Sequence, residues 1–180
     1  MIEIINLNKI DGKERVVIDN VQPEINNGKF AIKRIEGESV KVGADIFADG
    51  HEQVQAYLLF RKKGERYWQK KPMSIVAKDR WQGEFVVNEI GIYEYTIVAM
   101  LNHLATWWRD IQKKAASPDN LSVDLKNGLP LLAKIIPKIE EPNKKAIMQK
   151  IMTLIQKGEK QEEIIILLAQ ELDEEFLKKY

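Results

Sequence analysis

Between Arg15 and Ile111 apolar and polar residues mostly alternate, and beyond Ala116 the apolar ones recur at helical spacing. Val40, Val42, Ala44 and Ile46 keep a period of two, as do Val54, Ala56, Leu58 and Phe60. Trp81, Gly83, Phe85 and Val87 form a third such set, and Tyr93, Tyr95, Ile97 and Ala99 a fourth. A strand sends successive side chains to opposite faces, so each run predicts a strand with one apolar face. Asn26-Asn27-Gly28, Glu36-Gly37, Asp49-Gly50, Lys63-Gly64 and Lys78-Asp79 punctuate the runs as turns. Arg15 to Val21 is predicted to open the series and Ala105 to Ile111 to close it, with Asn102 and His103 in the hairpin before that last strand. Six or more short strands in roughly 100 residues predict two packed antiparallel sheets, an immunoglobulin-like β-sandwich.

Tyr57, Leu59, Val86, Ile92, Val98 and Met100 fall on the faces that a wetted sheet would keep polar. Either this is ordinary surface scatter, or a second domain or subunit covers that side. Lys113 to Asn120 is small, polar and interrupted by Pro118, which reads as a linker. The fold class expected is therefore mainly β plus α: a sandwich over residues 1–115 and a helical appendage of two or three helices over 116–180. In the appendage Leu125, Leu129, Leu132 and Ile136 share a face, although Gly128, Pro130 and Pro137 must bend or interrupt it. A second helix begins at Pro142, carries Ile147, Ile151, Leu154 and Ile155 on one stripe, and stops at Gly158. A third runs from Lys160 to Tyr180 with Ile165, Leu168, Leu172 and Phe176 in line. Ile164 to Leu168 is apolar almost all round, more than a few short helices can cover alone. Pairing of two copies into a four-helix bundle would supply the cover. Ile151, Leu154, Ile165, Leu168, Leu172 and Phe176 are the expected dimer-interface residues.

Charge and composition narrow the functions. Twenty-eight basic against twenty-seven acidic residues give a formal charge of +1. That leaves no bulk field for nucleic acid or an anionic membrane, so neither is expected as a partner. The absence of cysteine removes disulfides, thiolate nucleophiles and thiolate metal sites. With only His51 and His103, no multi-histidine metal centre can form, and no metal or cofactor is expected. The opening Met1 to Ile10 lacks the layout of a secretory leader. The longest apolar run, Ile164 to Ala169, is far shorter than the roughly twenty residues of a membrane-spanning helix, so a cytoplasmic location is expected.

Motifs for chemistry are sparse. No two of the ten glycines lie closer than six positions, which excludes both the dinucleotide fingerprint and the phosphate-cradling loop. Ser39, Ser74, Ser117 and Ser122 have no nucleophile-elbow context. Asp45, Asp49, Glu52, Asp79, Glu84 and Glu94 supply carboxylates, and glycosyl transfer with retention needs two of them roughly 5 Å apart. Spacing shows no such pair, and solvated acids are the plainer reading. Trp68 and Trp108 are candidate platforms for stacking on sugar rings; Trp107 alternates with Trp108, and Trp81, in phase with Phe85, reads as core. Tyr93 and Tyr95 after Gly91 suit a corner in which a tyrosine hydroxyl ties a loop to backbone.

Arg15-Val-Val-Ile-Asp-Asn-Val-Gln-Pro-Glu-Ile, Gly28-Lys-Phe-Ala-Ile-Lys-Arg and Phe47-Ala-Asp-Gly-His51-Glu follow one another in order. After them come Asp79-Arg-Trp-Gln-Gly-Glu-Phe85, Gly91-Ile-Tyr-Glu-Tyr95 and Thr106-Trp-Trp-Arg-Asp110. As a set these resemble the amino-terminal region of the α-1,4-glucan:maltose-1-phosphate maltosyltransferases, over Arg15 to Lys114. The resemblance implies a sandwich with a helical segment that together help build a homodimer, ahead of an amylase-like (β/α)₈ barrel. It implies a parent enzyme of glycogen-type polysaccharide synthesis that moves maltosyl units from maltose 1-phosphate onto an α-1,4-glucan with retention. Such a barrel needs roughly 250 residues, more than this chain of 180 contains. The short amylase motifs are absent too, since Asn102-His103 has no aspartate four residues before it. No catalytic residue carries over, and a piece of a longer enzyme is expected, non-catalytic by itself. Its expected role is a dimerisation and barrel-packing scaffold, its partners being its own barrel and a second copy; the alternative is an α-glucan-binding module.

Overall fold

The computed structural model describes residues 15–116, 120–158 and 160–180. The reading of Met1 to Ile10 and residues 117–119 of the expected linker lie outside them. Two compact units divide the chain between Leu101 and Asn102.

The first unit is the sandwich. Its seven strands are β1 (Val16–Gln22), β2 (Ser39–Ala48), β3 (Val54–Lys62), β4 (Gln69–Pro72), β5 (Ser74–Ala77), β6 (Arg80–Val86) and β7 (Tyr93–Leu101). They form one sheet of order β1-β2-β6-β5 and another of order β4-β3-β7, with every pairing antiparallel. The period of two decides which side chains face inward: Val40, Val42, Ala44 and Ile46 meet Ala56, Leu58 and Phe60 in one buried cluster with Trp81, Phe85 and Val87. Phe60 and Phe85 stack across the two sheets with ring centroids 4.6 Å apart. Stacked pairs add roughly 0.5–1.5 kcal/mol beyond the area they bury. The chain passes from one sheet to the other at Met73, which is 2 % exposed and whose N–H donates to the Ala56 carbonyl at 2.9 Å. Asn26, Asn27 and Gly28 adopt the positive φ values that their turn signal implies. The hydroxyl of Tyr95 donates to the Pro23 carbonyl, the loop tie expected of a sandwich corner.

Ala105 to Ile111 is not a strand. The sandwich ends at β7, and the chain turns directly into helix α1 (His103–Ala115). Asn102, expected in a hairpin, is the N-cap; its side chain accepts from the Ala105 N–H at 2.9 Å. Leu104, Trp107, Trp108 and Ile111 recur at i, i+3, i+4 and i+7 and are all buried on one face. The boundary expected at residue 115 therefore moves to Asn102. Lys113, Lys114 and Ala115 form the last turn of α1 rather than a linker.

The second unit continues with α2 (Ser122–Lys126), α3 (Leu129–Ile135), a 3-10 turn (Ile136–Lys138), α4 (Pro142–Lys157), α5 (Gln161–Glu171) and α6 (Glu174–Lys179). Over 116–180, where two or three helices were expected, five α-helices stand among the described residues. Pro130 and Pro142 sit in first turns and Pro137 in the 3-10 turn, as a residue without an N–H prefers. Gly128 is irreplaceable on steric grounds: a Cβ there would lie 2.2 Å from the Trp107 ring. Helix α4 stops at Gly158 in the left-handed conformation, as expected. The single helix expected over Lys160 to Tyr180 is broken, because the Asp173 side chain accepts from the Phe176 N–H at 2.7 Å and starts α6 anew.

Candidate functional site

Of the six sandwich acids singled out in the sequence, Asp45, Asp49, Glu52, Glu84 and Glu94 are tied to cations or donors. Arg15 bridges two of them, donating from Nε to Asp49 Oδ1 at 2.8 Å and from Nη1 to Glu52 Oε1 at 2.5 Å. Hydrogen bonds from Asn20 and Arg80 hold the Asp45 carboxyl below its ordinary range. Glu94 accepts from Arg61 at 2.9 Å, and Glu84 accepts from the Ser39 hydroxyl at 3.0 Å. Among the described residues, no group of three or more His, Asp or Glu side chains is gathered as a metal site. His51 and His103 are both exposed.

The two tryptophans read as sugar platforms part company. Trp108 is 3 % exposed within the helical core and presents no ring face to a ligand. Its neighbour Trp107 is buried on the same helix face, its indole N–H donating to the Asp124 carbonyl at 2.8 Å. Trp81 is core, as its phase predicts. Trp68 remains half-buried just before β4, with the Arg61 guanidinium 4.3 Å from its ring centroid. That guanidinium is pinned by Glu94 and by the Glu65 carbonyl, so the cation–ring pair is rigid.

The residues expected at a dimer interface are mostly committed elsewhere. Ile151, Leu168, Leu172 and Phe176 are at most 5 % exposed in the core of their own unit. A side chain already packed inside one copy has no surface left for another. Leu154 and Ile165 are half-buried, and the exposed member of the apolar stretch is Ile166, at 59 %.

Exposed apolar surface lies instead on the sandwich. Val17 and Phe47 are cross-strand partners on the outer side of the four-stranded sheet, and both stand exposed. Ile75 and Val76 lie together on the edge strand β5, and Ile90 and Ile92 project from the connection into β7. Of the fifteen large hydrophobic side chains exposed among the described residues, thirteen belong to this unit. Tyr57 and Leu59, on the face of β3 opposite its core residues, are buried, with the Lys70 ammonium 3.6 Å over the Tyr57 ring.

Hollows indent the surface among the described residues. One, of about 470 Å³, lies on the outer face of the four-stranded sheet, with Lys41, Gly43 and Gln82 among its lining residues. Another, of about 240 Å³, lies between the start of α4 and α6 around Lys144, Asp173 and Tyr180. No helix among the described residues is long and apolar enough to cross a membrane.

A family model described as α-1,4-glucan:maltose-1-phosphate maltosyltransferase, domain N/S, matches residues 14–180. Proteins named α-1,4-glucan:maltose-1-phosphate maltosyltransferase are similar to the chain. That of Chlorobaculum tepidum is 45% identical over 118 residues, which cover 66% of this chain and 18% of the relative. That of Methylacidiphilum infernorum is 32% identical over 125 residues, covering 69% and 19%. That of Myxococcus xanthus is 36% identical over 121 residues, covering 65% and 18%. The matched stretch thus spans less than a fifth of the length of these relatives.

Proposed function

The chain belongs to the α-1,4-glucan:maltose-1-phosphate maltosyltransferase family, as its amino-terminal sandwich and helical region; from that premise we propose that it is a dimerisation and barrel-packing scaffold. In this reading it carries no catalysis of its own. It serves a cytoplasmic enzyme that transfers maltosyl from maltose 1-phosphate to an α-1,4-glucan in glycogen-type synthesis. The observation that carries the reading is the apolar surface of the sandwich. Single exposed hydrophobes need no explanation, but thirteen lie on this one unit, with Val17 directly across from Phe47 on one sheet face. Apolar surface of this kind favours burial against another protein surface at roughly 25 cal/mol per Å².

Light scattering over a range of chain concentrations tests the self-association part. A concentration-dependent dimer is expected, and a chain that stays strictly monomeric at high concentration rules that part out. A turnover assay with maltose 1-phosphate and glucan should give no transfer from this chain alone.

A second reading, an α-glucan-binding module, draws on Trp68, whose ring is only half-buried beside a fixed guanidinium. Tryptophan fluorescence titrated with maltooligosaccharides tests it; a saturable change that disappears in Trp68→Ala would favour it over the scaffold.

A further inference from the structure

We propose that the hollow on the outer face of the four-stranded sheet binds a small phosphate-bearing ligand, such as a phosphorylated sugar. This goes beyond the scaffold reading and does not depend on it. Its volume of about 470 Å³ falls within the roughly 300–1,000 Å³ of small-molecule sites. Arg34, Lys41 and Arg80 line it; Arg80 is paired with Asp45 at 3.1 Å, and the one acid in the lining among the described residues is Glu38. That acid is already engaged: its Oε2 accepts from the Ile35 N–H at 3.0 Å, and its Oε1 lies 3.7 Å from Arg34 Nε.

The floor holds one cation in a fixed place. Arg80 donates from Nη1 to the Asn20 carbonyl at 2.9 Å and to Asp45 at 3.1 Å. Its guanidinium crosses β2 at Gly43, where a Cβ would come within 2.9 Å of Nη2. A side chain at position 43 would push the guanidinium from its present place. Lys41 is two residues away on the same strand and so shares the outer face. Among the described residues no acid lies within ion-pair distance of Lys41, because its cross-strand partner Glu84 is turned to the Ser39 hydroxyl.

This chemistry selects an anion over a neutral sugar. Trp81 is the one aromatic residue lining the hollow among the described residues; it is 8 % exposed and its indole N–H is engaged with the Ile46 carbonyl. A neutral glucan would find no ring face to stack on. A phosphate would take charge-assisted hydrogen bonds from Lys41 and the neighbouring guanidinium groups, with the Gln82 amide beside them.

Titration of the whole chain with inorganic phosphate, glucose 1-phosphate and maltose, followed by the amide resonances of Lys41, Gly43 and Gln82, tests the proposal. Saturable shifts at these amides are expected with both phosphates and none with maltose. Lys41→Ala, at an exposed position, should weaken phosphate binding roughly tenfold or more, the worth of one charge-assisted hydrogen bond. Gly43→Ala should weaken it as well by displacing Arg80, with thermal melting reporting whether the sheet stays folded. Equal shifts with maltose, or phosphate binding unchanged in Lys41→Ala, would each overturn the proposal.

Discussion

The helical unit buries nearly all that its sequence makes apolar, whereas the sandwich leaves much of its apolar sequence outside. Seventeen residues close the helical core, and among its described residues only Val123 and Ile166 stand out as exposed large hydrophobes. The sandwich closes on eleven core residues and exposes thirteen. The most apolar-looking segment of the sequence, Ile164 to Leu168, therefore lies in the unit with less to hide from water. Helices that are short and many can wrap one another from several sides, so that stretch buries Ile164 and Leu168, half-buries Ile165 and Leu167, and leaves Ile166 exposed. A two-layer sandwich has one interior, and apolar residues out of phase with it, such as Val17, Phe47 and Val86, are left at the surface unless that face is covered, as it is at Tyr57 and Leu59. Unmet apolar surface is a property of the packing and not of the local sequence.

The largest effects should come from removing core volume on each side of this comparison. Phe85→Ala should destabilise the sandwich by about 3–5 kcal/mol, since it empties the stack with Phe60, and Leu168→Ala should cost the helical unit about 2–5 kcal/mol. Denaturant titration of both variants would show whether the closed helical core is the less tolerant of a cavity.

A smaller effect is expected at the break between α5 and α6. Asp173→Ala should cost about 1 kcal/mol through loss of the cap. The Phe176 N–H first, and the Lys144 ammonium after it, hold the Asp173 carboxyl below its ordinary value of 3.8. A depressed pKa means that the cap's contribution is fully present above 3.8 and drains away as pH falls through the lower folded value. The protection factor of the Phe176 amide, its exchange rate taken relative to the intrinsic rate at each pH, should therefore fall below that pH in the natural chain and show no such step in Asp173→Ala.

The smallest stability changes, within about 0.5 kcal/mol, are expected from Ile90→Lys and Ile166→Lys, both at exposed positions. They separate the units by association instead. Light scattering should lose the dimer in Ile90→Lys if the sandwich makes the contact, and in Ile166→Lys if the helices do.

The sandwich was legible because its signals repeat. Four alternating runs, each bounded by a turn, identify β2, β3, β6 and β7 with their inward faces, and Tyr95 marks the corner. Helix α1 was misread because Ala-Thr-Trp-Trp-Arg-Asp-Ile is rich in residues that suit strands and follows β7 without a glycine or proline between them. The countersigns were Asn102 as a cap and the spacing of Leu104, Trp107, Trp108 and Ile111. The break before α6 was hidden because Leu168, Leu172 and Phe176 keep a four-residue step straight across it, and all three are buried. Burial of Trp108, and of four of the six residues expected at a dimer interface, was not legible. Periodicity tells which residues turn from water but not whether the neighbour lies in the same chain. The hollow beside Lys41 was equally hidden, since it depends on the loop before β2 and on β1, β2, β5 and β6 meeting around Gly43.

Met73 has a mechanical consequence. The residues on either side of it, Pro72 and Ser74, end one sheet's edge strand and begin the other's. Peeling either margin outward must drag on the other through a single anchored link, so the two layers share the load at that border and resist unzipping one at a time.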